Sequence, residues 1–198
     1  MTRCALFASV ACTLLAFQCA AKCQELPAAA ANWDLAAWSD FATGEENTNS
    51  FSEAQIWSAG AAVGKSFWAS TGHRWYSGNL QYAFSVSPIF LQLRPQSLHG
   101  IAFQPVIFRW TSSHLLGRAW PYIELAGGAV HSNLNLPAGD TSTFNFTAQG
   151  GGGLYIPLGA TRALELGLRW SHISNANLGR QNPEFNGVET RIAYHWFR

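Results

Sequence analysis

Apolar and polar positions alternate with period two along most of this chain. The clearest stretch runs from Arg74 to Val86: Tyr76, Leu80, Tyr82, Phe84 and Val86 share one parity, with Gly78 among them, while Ser77, Asn79, Gln81, Ala83 and Ser85 share the other. Successive side chains of a β-strand point to opposite faces, so this segment has one apolar face and one small, polar face. The same period predicts strands over 33–42, 54–67, 74–87, 100–110, 119–130, 144–156, 162–175 and 187–197. Eight is an even number, and each segment reaches the roughly 9–11 residues that a tilted strand needs to cross a bilayer. The connections 69–73, 111–118 and 157–161 are short, whereas 43–53, 88–99, 131–143 and 176–186 are longer and richer in Asn, Pro, Gly and Ser. Short turns on one side and long loops on the other predict an all-β fold, an eight-stranded antiparallel transmembrane β-barrel of the outer membrane. Strands four and five alternate poorly, and Pro105 interrupts one of them. A secreted β-sandwich or lipocalin-like barrel is the soluble alternative, since it also has many half-buried strands.

Composition favours the membrane reading. Nine tryptophans and 14% aromatic residues accompany only 12% charged residues. The tryptophans suit girdles at the two membrane interfaces. A formal net charge of +1 gives no case for nucleic acid as a partner. Beyond residue 22 no apolar run is long enough for a helical span. The N-terminus reads as a secretory signal: Arg3, an apolar run from Ala5 to Phe17, then the small residues Ala20 and Ala21. We take 1–21 as the signal and 22–198 as one barrel domain. All four cysteines (Cys4, Cys12, Cys19 and Cys23) lie in or beside that signal, so the domain has no disulfide framework and no thiolate metal site.

Candidate chemistry falls at the end of the seventh segment. Leu164, Leu166, Leu168 and Trp170 share the even parity, and Glu165, Arg169 and Ser171 the odd, with Gly167. His172 and Ser174 are even, which puts them on the outer wall, the face a membrane lipid occupies. With the N-terminus on the periplasmic side, strand seven ends at the cell surface. Residues i and i+2 of a strand share a face, so the imidazole and the hydroxyl can meet. A base that takes the serine proton, and an acid that holds the base, are the parts of a serine hydrolase. The acid downstream is Glu189, whose odd parity turns it inward unless a bulge near Asn186-Gly187 resets the register. Glu184 is the reserve carboxylate. Asn175 suits either an oxyanion donor or a turn former. The other histidines read as structural or solvated, and Glu165, Arg169 and Arg191 as partners in the lumen. The glycine run 150–153 reads either as a strand bend with tight packing or as a smooth patch for an acyl chain.

His172-Ile173-Ser174-Asn175-Ala176, a loop containing Pro and Asn, then Asn186-Gly187-Val188-Glu189 resembles the PagL-type lipid A 3-O-deacylases. The resemblance covers about the last thirty residues. It implies an eight-stranded outer-membrane barrel that hydrolyses the ester at the 3-position of lipid A and releases a 3-hydroxy fatty acid. It further implies Ser174 as nucleophile, His172 as general base, Glu189 as the acid that orients the histidine, and Asn175 as an oxyanion donor. No metal or cofactor is required, and the partner is lipopolysaccharide in the outer leaflet. A homodimer along the barrel walls is left open. The rival readings are a non-enzymatic barrel (adhesin, scaffold or conduit) and a barrel phospholipase or acyltransferase.

Overall fold

Alternation along the segments becomes the inside and outside of one closed sheet. The computed structural model describes residues 33–44, 54–71, 74–136 and 141–198. The expected signal, 1–21, lies outside the described residues. Eight strands follow one another: β1 (Trp33–Gly44), β2 (Gln55–Ser70), β3 (Gly78–Arg94), β4 (Leu98–Ser112), β5 (Trp120–Ser132), β6 (Phe144–Gly159), β7 (Arg162–Ser174) and β8 (Phe185–Phe197). Each pairs antiparallel with its chain neighbour, and β1 closes on β8 to complete the barrel. Closure leaves no sheet edge unpaired, the condition for a sheet to stand in hydrocarbon. The expected eight-stranded antiparallel barrel is the fold observed.

The bounds of β3 differ most from expectation. Strand β3 starts at Gly78 rather than 74 and runs on to Arg94, so the long loop expected over 88–99 shrinks to the turn 95–97. Pro88 has no N–H to give the ladder, and the β3–β4 register shifts between Ser87 and Phe90, after which pairing resumes. Pro105 acts in the same way within β4: the β4–β5 register shifts between Phe103 and Val106, and the strand continues beyond a bulge.

The outer wall is apolar. In β3, Tyr82, Phe84 and Val86 are exposed while Gln81, Ala83 and Ser85 are buried, as the alternation requires. Trp33, Trp68, Trp75 and Trp196 stand exposed at the rim where the two described ends of the barrel meet, with Trp33 and Arg198 joined by backbone hydrogen bonds of 2.8 Å. The β2–β3, β4–β5 and β6–β7 connections lie at this rim. Not every tryptophan is in a girdle. Trp38 and Trp120 are buried inside, and Trp38 donates to Ser85 Oγ at 3.0 Å while the Arg191 guanidinium lies 4.5 Å from its ring.

The lumen is filled by side chains. Arg109 bonds Glu124 at 2.6 Å, Arg169 lies 3.0 Å from Glu124 and 3.3 Å from Glu165, and Arg191 bonds Asp40 at 2.6 Å. His195 is held between Asp34 at 2.8 Å and Glu165 at 2.7 Å. Glu165 and Arg169 pair as the sequence suggested, whereas Arg191 takes Asp40 on β1. Buried charges persist only when paired, and here each has a partner on its own or another strand. Tyr122 donates to Glu165 at 2.5 Å, and its ring needs the space left by two glycines. A Cβ on Gly167 would come 2.5 Å from Tyr122 Oη, and one on Gly153 would come 2.8 Å from it. Gly153 and Gly167 are direct cross-strand partners. Gly167→Ala is therefore expected to destabilise the barrel by about 1–3 kcal/mol. Reversible urea unfolding in detergent checks it, and Tyr122→Phe in the same chain should recover part of the loss. No change with Gly167→Ala would refute the packing assigned here.

Candidate active site

The site sits at the opposite rim, where β7 meets the loop that leads to β8. His172 and Ser174 close the strand on the outward parity, in line with the exposed Leu166, Leu168 and Trp170, while Ile173 and Ser171 are buried. His172 Nε2 is 2.9 Å from Ser174 Oγ. The imidazole stacks on the Trp170 ring, with centroids 5.6 Å apart and planes at 16°. These three side chains form one column on the lipid-facing wall, so the pairing expected between His172 and Ser174 is present in the geometry.

The third expected member is elsewhere. The β7–β8 ladder pairs Trp170 with Val188, Ser171 with Gly187, His172 with Asn186 and Ile173 with Phe185, with no break in register. No bulge resets the parity at Asn186-Gly187, and Glu189 points into the lumen. There it accepts from Gln149 Nε2 at 2.8 Å and lies 3.4 Å from Arg169. The structure thus corrects the sequence expectation: Glu189 does not meet His172. Its place is taken by Asn186, whose Oδ1 is 2.8 Å from His172 Nδ1. Asn186 Nδ2 in turn donates to Glu184 Oε2 at 3.3 Å. The reserve carboxylate is near the site, but it reaches the histidine through an amide. Parity carried the missed signal, because Glu184 and Asn186 share the outward even parity of β8 with Val188, Thr190 and Ile192.

Asn175 is buried at the base of the loop. Its backbone N–H donates to Asn182 Oδ1 at 2.9 Å, and its Nδ2 donates to the Gln181 carbonyl at 2.8 Å. Leu178 N–H donates back to the Asn175 carbonyl at 3.0 Å, across Ala176 and Asn177, which both have left-handed backbone (φ 51° and 64°). These contacts place Asn175 in the turn that opens the β7–β8 loop. The glycine run is tightly packed: a Cβ at Gly151, Gly152 or Gly153 would meet neighbouring backbone atoms at 2.1–2.4 Å. Among the described residues no cluster of His, Cys, Asp or Glu is arranged to hold a metal ion.

Fold and site together define a class: an outer-membrane β-barrel whose serine and histidine meet on the outer wall. The model of the family described as "Lipid A 3-O-deacylase (PagL)" matches residues 56–195, and the chain belongs to that family. Among solved structures, the outer membrane enzyme PagL is similar at TM-score 0.51 and 20% identity, covering 83% of this chain and 99% of that one. Neisserial surface protein A (NspA) is similar at TM-score 0.56 and 11% identity, covering 84% of this chain and 97% of that one. At these identities the two structures speak for the barrel. Among curated proteins, none matches this chain.

Proposed function

We propose that this protein is an outer-membrane esterase that hydrolyses the 3-O-linked acyl chain of lipid A, with Ser174 as nucleophile and His172 as general base. The observation that carries this reading is the 2.9 Å contact between His172 Nε2 and Ser174 Oγ on the lipid-facing wall at the loop-side rim. A soluble ester would have little reason to reach that wall, whereas a lipid of the outer leaflet lies against it. Ser174 Oγ attacks the acyl carbonyl carbon as its proton passes to His172 Nε2. The tetrahedral intermediate collapses, the sugar oxygen leaves with the proton from His172, and the acyl chain stays on Ser174. Water, deprotonated by His172, then cleaves that ester, releasing a 3-hydroxy fatty acid and restoring the serine.

Family membership supports lipid A rather than a glycerophospholipid as the substrate. The filled lumen argues against the conduit reading, because the charged network of Arg109, Arg169 and Arg191 with their carboxylates occupies the path a solute would take. The test is a substrate comparison with the purified barrel in mixed micelles. Lipopolysaccharide should yield free 3-hydroxy fatty acid, and matched phosphatidylethanolamine should yield far less fatty acid. Faster cleavage of the phospholipid would replace the deacylase reading with the phospholipase one.

A further inference from the structure

We infer that Asn186, with Glu184 behind it, is the positioning element for His172, in the role that the sequence motif offers to Glu189. The inference rests on the Ser174–His172 reading and deepens it. It starts from a direction that the hydrogen bonds impose on one another. An ionised carboxylate can only accept. Glu184 Oε2 therefore receives a hydrogen from the Asn186 amide nitrogen, at 3.3 Å. That leaves Asn186 Oδ1 facing His172, and an amide oxygen can only accept, so His172 Nδ1 must carry the hydrogen in their 2.8 Å bond. The neutral imidazole is then fixed as the Nδ1–H tautomer. Its Nε2 lone pair points at Ser174 Oγ, 2.9 Å away, ready to take a proton. Four side chains form one chain of bonds with a single consistent sense, from Ser174 through His172 and Asn186 to Glu184.

The backbone makes the arrangement specific. His172 and Asn186 are direct partners in the β7–β8 ladder, on the same outward face. Asn186 is buried, so water does not compete well for its oxygen. Around the imidazole stand Ala148, its partner on β6, Trp170 and Ser174 on its own strand, and Asn186 on β8. Glu184, next beyond Asn186, is the ionisable group of this set. Glu189 faces the opposite side of the sheet, where Gln149 and Arg169 hold it.

A chemical consequence separates this arrangement from a carboxylate in direct contact. An amide oxygen fixes the tautomer as well as a carboxylate does, but it carries no net charge to stabilise the imidazolium that forms when Ser174 is deprotonated. The negative charge of Glu184 acts from one side chain further away. Replacing Asn186 by Asp would put a full charge against Nδ1 and favour the imidazolium. Replacing Glu184 by Gln would remove the remote charge and disfavour it.

The experiment is a 15N NMR titration of the histidine-labelled barrel in detergent micelles, assigned with His172→Gln, alongside pH profiles of kcat/KM on lipopolysaccharide. The parent should show His172 as the Nδ1–H tautomer, and Asn186→Ala should lose that preference and cut kcat roughly a hundredfold with little change in KM. Asn186→Asp should keep the tautomer and move the acid limb to higher pH, while Glu184→Gln should move it to lower pH. Glu189→Gln should leave the His172 titration in place. A tautomer unchanged in Asn186→Ala, or a His172 titration that follows Glu189→Gln rather than the Asn186 and Glu184 variants, would overturn the inference. Because the NMR readout needs no turnover, an inactive parent would sink the deacylase reading while the titration still decided this one.

Discussion

Ser174→Ala is expected to lower lipid A deacylation by at least about 10⁴-fold while leaving a fully folded barrel. The size follows from the chemistry. Alanine offers no oxygen to attack the acyl carbonyl, and nothing else in the outward column of Trp170, His172 and Ser174 can form the acyl-enzyme. The fold should not suffer, because Ser174 is half-buried at the end of β7 and its hydroxyl is bonded to His172 rather than to the core. Initial rates of 3-hydroxy fatty acid release, beside the heat-modified gel shift that reports a closed barrel, check both halves. A Ser174→Ala barrel within tenfold of the parent rate would remove Ser174 from the mechanism.

Arg169→Ala should have the largest effect on stability, costing about 3–5 kcal/mol. Arg169 is almost wholly buried and lies 3.0 Å from Glu124, 3.3 Å from Glu165 and 3.4 Å from Glu189. Removing it leaves three carboxylates sharing a lumen in which Arg109 already serves Glu124 and Glu165. Breaking a buried pair from one side strands the other charge, which is why the loss exceeds the value of the pair itself. The double replacement Arg169→Met with Glu124→Gln should be less harmful than Arg169→Ala alone, since it relieves part of that excess charge. Urea midpoints in detergent measure the difference. Equal stability of Arg169→Ala and the parent would mean that the lumen network holds nothing together.

The fold was legible because the bilayer enforces parity. A residue facing lipid must be apolar, and one facing a narrow lumen must be small or paired, so Tyr82, Phe84 and Val86 announce one face and Gln81, Ala83 and Ser85 the other. What blurred the reading was proline. Pro88 and Pro105 each interrupt a ladder without ending the strand, which hid the outer half of β3 and the charged inward partners Arg109 and Glu124 on β4 and β5. Tryptophan was ambiguous for a related reason: Trp38 and Trp120 have the same apolar bulk as the girdle residues but are buried inside the barrel.

The site was half legible. His172 and Ser174 lie on one strand, so their meeting depends only on the i, i+2 geometry of β structure. The third partner lies across a loop, and its identity depends on the β7–β8 register. One-letter similarity at Gly187-Val188-Glu189 points to the carboxylate, but the ladder places Asn186 opposite His172. Strict alternation then turns Glu189 inward to Gln149 and Arg169, where it serves the lumen. Motif and parity gave different answers, and parity was the physical constraint.

Cleavage of a lipid A ester by the outward pair of Ser174 and His172, as proposed, is read from its product. Mass spectrometry of lipid A recovered from lipopolysaccharide after incubation with the detergent-purified barrel gives that readout, beside Ser174→Ala and His172→Ala. The predicted result is loss of a single 3-O-linked 3-hydroxyacyl group with the parent and intact lipid A with both variants. Intact lipid A with a folded parent barrel, or loss of the same group with Ser174→Ala, would contradict it.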